Sequence, residues 1–293
     1  MSGATATSFR NALRPWAMLA PLLVGIALVY LYPLGRTVSL SLTGNAIRNW
    51  WLAATDLLLW LSIANTLVFS LGLVVLQLPL SLGLALLLNG LRGPGRRIWR
   101  AAFFSTHLVG VAFAGVLVHA LVSGRDSVLN AALLWTGIID QPWRPLESPA
   151  TVMPLLIVVS VWLGAGFGMV YLLAALQKVD THLLDAAHLD GAGRWQRFWN
   201  VTLAQLRPTL SFLAVAGLLW GMQLFELPYV IFGGPGPGYR GLTISMYVFA
   251  QSFREGQFEY ASAVALISAG FIAGLTLIAA RLLRVGREEV QLD

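Results

Sequence analysis

Six separate runs of apolar residues, each close to the length that crosses a lipid bilayer, constrain most strongly what this chain can fold into. A helix rises 1.5 Å per residue and the hydrocarbon core is roughly 30 Å thick, so about 20 consecutive apolar residues suffice to span it. The runs cover Pro15–Pro33, Leu57–Leu88, Ala101–Val122, Thr151–Leu176, Pro208–Phe232 and Tyr260–Leu283. They are continuous rather than alternating, and lipid requires each backbone N–H and C=O to find a partner within the membrane. They therefore read as helices. Composition agrees, since 57% of the 293 residues are hydrophobic and only 11% are charged. The second run exceeds a perpendicular crossing and predicts a tilt, or a bend near Pro79. The first follows Arg10 and Arg14 as a signal peptide would. It is long for that role and leads into Tyr32-Pro33-Leu34-Gly35-Arg36 without a small-x-small cleavage pattern, so it is expected to remain as a span.

Six spans place both termini on one side, and the basic residues choose which. Arg10, Arg14, Arg92, Arg96, Arg97, Arg100, Lys178, Arg194, Arg197, Arg207, Arg281, Arg284 and Arg287 fall on one side; Arg36, Arg48, Arg125, Arg144, Arg240 and Arg254 fall on the other. The positive-inside rule makes the richer side cytoplasmic. The expected organisation is an all-α integral membrane protein. It has a cytoplasmic segment 1–14, a six-span domain 15–284 and a cytoplasmic tail 285–293, all in the plasma or inner membrane. Although the net charge is +6, the arginines flank spans instead of forming one basic face, which argues against nucleic acid.

Between spans four and five lies a polar island, residues 178–207. Asp180 is placed to cap a short helix, Thr181–Leu189, and Gly191-Ala192-Gly193 to end it. A second helix is predicted over about Arg194–Leu206. There Trp195, Phe198, Trp199, Thr202 and Leu203 follow the i, i+3, i+4, i+7, i+8 pattern of one apolar face, and Pro208 is placed to begin span five. Pattern alone leaves two readings open: a docking element for another protein, or an amphipathic elbow lying on the membrane surface.

Residue order favours the first. Asp185-Ala186-Ala187, Gly191, Val201 and Leu203 stand at the spacings of the cytoplasmic signature Glu-Ala-Ala, three residues, Gly, nine residues, Ile, one residue, Leu-Pro. This resembles the permease subunits of binding-protein-dependent carbohydrate ABC importers, the maltose and glycerol-3-phosphate type. Asp185 replaces Glu, Val201 replaces Ile, and Ala204 stands where the family has proline, which leaves the end of the second helix less defined. Asn65-Thr66, Leu129-Asn130, Ala175-Leu176-Gln177, Gly233-Gly234-Pro235 and Tyr260-Ala261-Ser262-Ala263 follow in the family's order, and Gly233-Gly234-Pro235 after span five makes the chain resemble the first permease of a heteromeric pair. The resemblance implies a second permease, two ATPase subunits carrying ATP and Mg, and an extracytoplasmic solute-binding protein. It also implies a coupling helix seated in the ATPase, with Asp185, Ala186, Ala187, Gly191, Trp195, Phe198, Trp199 and Leu203 as the docking residues.

No covalent chemistry is expected on this chain. A P-loop needs Gly-Lys-[Ser/Thr], and the lone lysine, Lys178, follows Gln177. The match of Gly236-Pro237-Gly238-Tyr239-Arg240-Gly241 to a dinucleotide fingerprint reads as a loop, because it follows a membrane helix. Cysteine is absent, and His107, His119, His182 and His188 lack metal-ligand spacing, so no metal or cofactor site is expected. Gly164/Gly168, Gly217/Gly221 and Gly270/Gly274 predict close helix packing. Glu226 is the carboxylate inside a span, and such a charge should face protein or water. With Asn65, Gln223 and Tyr229 it forms the candidate solute path. Gln77 and His107 are further polar positions, and Trp220 and Phe225, with Tyr229, are rings for stacking on sugars. Snorkelling of Glu226 to the surface is the competing reading. The rival functions are an ion-coupled secondary transporter using Glu226, and a membrane scaffold whose loop docks a partner.

Overall fold

The computed structural model describes residues 18–124 and 127–283. The expected N-terminal segment 1–14, the start of the first run at Pro15 and the tail 285–293 lie outside these, as do Arg10, Arg14, Arg125, Arg284 and Arg287. Among the described residues the regular structure is helical. Five helices are long and apolar enough to cross a membrane, and a sixth crossing exists if one sharply bent pair is a single span. We number them α1 (Met18–Ser41), α2 (Ala46–Thr55), α3 (Leu57–Gly90), α4 (Pro94–Ser105), α5 (Val111–Val122), α6 (Val128–Trp135), α7 (Pro149–Leu176), α8 (Thr181–Leu189), α9 (Arg194–Met222), α10 (Glu226–Phe232), α11 (Ile244–Phe249) and α12 (Phe258–Leu282).

The chain divides into two compact units, Met1–Asp56 with Val248–Ile267, and Leu57–Tyr247 with Ser268–Asp293. In the first, Asn45 caps α2 by accepting from Arg48 N, and the Tyr260 hydroxyl meets Asp56 Oδ2 at 2.5 Å. The second is built on α3 and α7. Gly72 faces Ile157, Gln77 faces Gly164 and Ser81 faces Gly168. Residue numbers rise together, so the two helices run parallel. Along α9 they run the other way, Gly217 facing Val74 and Gly221 facing Ser70, so α9 is antiparallel to both. The Gly90, Leu176 and Arg194 ends consequently share one end of the bundle, where Leu88, Leu176 and Leu206 join a buried cluster. Arg92–Arg100 and the 178–207 island emerge there together, two of the basic clusters that the arginine distribution placed on one side.

Two expected spans are not single helices. The run Ala101–Val122 breaks at Val109-Gly110, and its halves meet at 91°. They are held by different partners. α4 lies against α7 so closely that a Cβ at Gly166 would collide with Phe103 O, and His107 Nδ1 lies 3.3 Å from Leu163 O. α5 instead pairs with α10, where His119 Nδ1 meets Ile231 O at 2.7 Å and Gly115 abuts Val230. The run Pro208–Phe232 also differs. α9 passes through Pro208 without ending, then stops at Met222, and α10 starts afresh at Glu226. Pro228 explains the break: proline cannot donate to the carbonyl four residues back, here that of Leu224, and its ring clashes there. Within the first turn of α10 its missing N–H costs nothing. The freed Leu224 carbonyl accepts instead from Thr243 Oγ1 at 2.6 Å.

Candidate functional site: an exposed aromatic turn and an interior cavity

At the shared end of the bundle, Asp180 Oδ1 accepts from His182 N at 2.8 Å and starts α8, while Asp180 N donates to Gln205 Oε1 on α9. α8 ends in a Schellman motif. Gly191 N donates to His188 O, Ala192 N donates to Ala187 O, and Gly191 itself adopts φ +80°. That left-handed conformation favours glycine. Gly193 N then donates to Gln196 Oε1, and α9 begins.

The expected apolar face of α9 is modified by a π-helical turn at Phe198–Thr202, which inserts one residue into the helical register. Trp195 and Trp199 stay exposed, at 75% and 56%, with Phe198 half-buried between them in edge-on contacts. Thr202 and Leu203 are half-buried, on the way to the fully buried Leu206. Of the other predicted docking residues, Asp185, Ala186 and Gly191 are exposed and Ala187 is half-buried. Leu189, which sequence reasoning did not single out, is 88% exposed beside the turn. Two indoles and a leucine are therefore exposed together at this end of the bundle.

Inside the second unit is a cavity of about 350 Å³ lined by Gln77, His107, Gly164, Phe167, Leu213, Ala216, Gly217 and Trp220. Trp220 also borders a second recess of about 260 Å³ with Gln223 and Glu226. The polar groups are fixed by their backbones. Gln77 Nε2 donates to Gly164 O at 3.3 Å, and Gln223 Nε2 to Leu219 O at 3.1 Å. Phe167 stacks obliquely on His107, with centroids 4.9 Å apart. The structure thus brings Gln223 and Glu226 together and joins them, through Trp220, to Gln77 and His107.

Two of the candidate path residues go elsewhere. Asn65 is buried, and its Nδ2 donates to Tyr239 O and Leu242 O at 2.8 and 3.0 Å. With Thr66, whose Oγ1 accepts from Ile244 N, it ties α3 to the loop before α11. Tyr229 stacks on Phe225 at 5.3 Å and lines neither recess. Phe167 was missed, since one aromatic within an apolar run carries no local signal. The glycine at 164 gave the available hint, as it lets Gln77 approach. Among the described residues no group of histidine, aspartate or glutamate is placed to hold a metal ion.

The family described as "Binding-protein-dependent transport system inner membrane component" matches residues 111–285. The lactose transport system permease protein LacF of Rhizobium radiobacter is 30% identical over 93% of this chain and 97% of its own length. The trehalose/maltose transport system permease protein MalF of Thermococcus litoralis is 27% identical over 95% of each chain. The arabinooligosaccharides transport system permease protein AraP of Bacillus subtilis is 27% identical over 92% of this chain and 88% of its own. In fold, the chain superposes with TM-score 0.84 and 23% identity on a chain of a bacterial ABC transporter involved in import of the acidic polysaccharide alginate. That match covers 96% of this chain and 98% of the other.

Proposed function

This chain belongs to the family of binding-protein-dependent transport system inner membrane components, and from that premise we propose how it works. It is a multi-pass membrane permease subunit of an ABC importer, moving a sugar, oligosaccharide or glycerophosphate-like solute into the cell. The importer works with a solute-binding protein. The fuller reading has six spans with both termini cytoplasmic, counting α4 and α5 as one bent span and taking the 178–207 island as the coupling element. A second, similar permease completes the pathway, and two separate ATPase subunits carry the ATP and Mg.

The observation that carries the coupling role is the exposed turn of α8 and α9. Leu189, Trp195 and Trp199 are large apolar side chains left in water or at its boundary, and burying each against a partner would contribute about 1.5–3 kcal/mol. The Schellman turn at Gly191 sets the angle between the two helices. Gln205, bonded to Asp180 N, ties the turn to α9. A push on the turn therefore moves α9, whose far end carries Leu213, Gly217 and Trp220 into the cavity. ATP-driven closure of the ATPases would in this way change the cavity walls, the physical content of alternating access.

In this reading the solute passes Trp220, whose indole presents a flat face to a sugar ring, with Gln77, Gln223 and Glu226 offering hydrogen bonds to hydroxyls. Asn65 and Tyr229 serve the walls. LacF, AraP and MalF, each matched over more than nine-tenths of the chain, are permeases of sugar transport systems, which sets aside the ion-coupled secondary transporter.

Gly191→Trp tests the coupling role. A side chain there is strained at φ +80°, although no described atom lies within 4 Å of the added Cβ. The variant should therefore reach the membrane in normal amount, retain ATP hydrolysis in the assembled importer and lose solute uptake. Uptake at the normal rate would overturn the role.

A further inference from the structure

The arginines beside the turn have a separate use. α4 begins just past the end of α3, and Arg96 is occupied there. Its Nε donates to Leu88 O and Leu91 O at 3.1 and 2.9 Å, and its Nη2 to Asn89 O at 2.9 Å. These carbonyls form the negative end of a 34-residue helix, so Arg96 neutralises the helix dipole and satisfies its terminal acceptors.

Arg97 and Arg100 have no such duty. Among the described residues neither makes an ion pair or a hydrogen bond. One turn apart on α4, they border a recess of about 220 Å³ with the apolar stems of their side chains, their guanidiniums lying outside it, and its remaining walls are Ala101, Phe104 and, from α7, Val170. From Arg97 at i, Ala101 and Phe104 follow at i+4 and i+7, so this strip of α4 runs from cationic to apolar along its length. No acidic residue occurs between Asp56 and Asp126 in the sequence to balance the charge. Around the rim, Ile98 and Trp99 are exposed, with Trp99 stacked on Phe103 at 5.7 Å, and indoles favour the headgroup level of a bilayer.

We propose that this recess is a binding site for one anionic phospholipid, its phosphate held by Arg97 and Arg100 and the start of an acyl chain lying on Ala101, Phe104 and Val170. The recess fits such a ligand on two counts. Two unpaired guanidiniums in a sparsely charged protein need a counter-charge, and an apolar floor continuous with a cationic rim matches a headgroup followed by hydrocarbon. A soluble phosphate would leave the floor unused, and a neutral lipid would leave the arginines unpaired. Because α4 packs on α7 and is joined to α5, an occupied recess would stiffen the bent segment that carries His107 to the cavity.

The test is native mass spectrometry of the full chain in a neutral detergent. It is offered phosphatidylglycerol or phosphatidylcholine with identical acyl chains, both alone and in the assembled importer. The expected result is retention of one phosphatidylglycerol at about tenfold or greater preference over phosphatidylcholine in both preparations. Arg97→Gln with Arg100→Gln should remove the preference, and Arg240→Gln should not. Ala101→Trp, which fills the floor and keeps both arginines, should also lower retention. Equal retention of both lipids, or a double variant that keeps its preference, would overturn the proposal. So would displacement of the lipid by millimolar inorganic phosphate, or loss of the preference on assembly, which would mean that another chain covers the recess.

Discussion

The glycine pairs of α7 and α12 read alike in sequence and have different immediate surroundings in the structure. On α7, Gly164 and Gly168 are seats: an added Cβ would lie 2.6 Å from Gln77 Oε1 in one case and 2.6 Å from Ser81 Oγ in the other. Between them, Gly166 admits the backbone of α4 itself. On α12, no described atom lies within 4 Å of a Cβ at Gly270 or Gly274. A small-xxx-small pair therefore states that a helix can be approached closely, and leaves open whether the approaching surface belongs to the same chain. α7 is the centre of the second unit, whereas Gly270 and Gly274 of α12 have open space beside them.

The largest expected effect comes from filling the tightest seat. Gly166→Val should push α4 off α7, because the obstacle is main chain and cannot rotate away. We expect about 3 kcal/mol or more of destabilisation, read as a lowered unfolding temperature of the purified protein in detergent. An unchanged unfolding temperature would break the contrast at its root.

A smaller effect, directed at function, is expected at Gly164. Its obstacle is the end of a flexible side chain, so Gly164→Ala should displace the Gln77 amide and sacrifice its bond to Gly164 O. The cost is about 1 kcal/mol. Since Gln77 and Gly164 both line the cavity, solute uptake by the assembled importer should show a raised KM at near-normal membrane levels. Loss of stability with an unchanged KM would separate this position from the solute path.

The smallest effect, of opposite sign, belongs to α12. Gly270→Ala and Gly274→Ala should leave the isolated chain as stable as before, or more stable by up to about 1 kcal/mol, because alanine loses less conformational freedom in a helix. Measured again in the assembled importer, a fall in recovery of a partner subunit would place that subunit on the stripe. An unchanged recovery would leave the stripe to lipid.

Much of the turn region was legible because its signals are short-range. The Asp180 cap, the Gly191 stop and the restart at Arg194 each depend on a few neighbouring residues, and all appear where the spacing puts them. The aromatic face was half legible. Trp195 and Trp199 are exposed, but the wide turn at Phe198–Thr202 was not written in the apolar pattern, and it separates them from Leu203.

Sequence by itself determined the long helices, the polar island between α7 and the body of α9, and the placing of Arg92–Arg100 with that island. Hydropathy, caps and charge act on each segment almost independently of the rest. Only the tertiary structure decided where the third and fifth runs break, since that depended on α4 and α5 choosing different neighbours and on Thr243 being present to take the carbonyl that Pro228 frees. It likewise decided that Asn65 braces a loop while Gln77, His107 and Trp220 meet around one cavity. Those outcomes depend on pairs of residues 19 to 177 positions apart, and a side chain's role is then set by whichever distant surface arrives beside it.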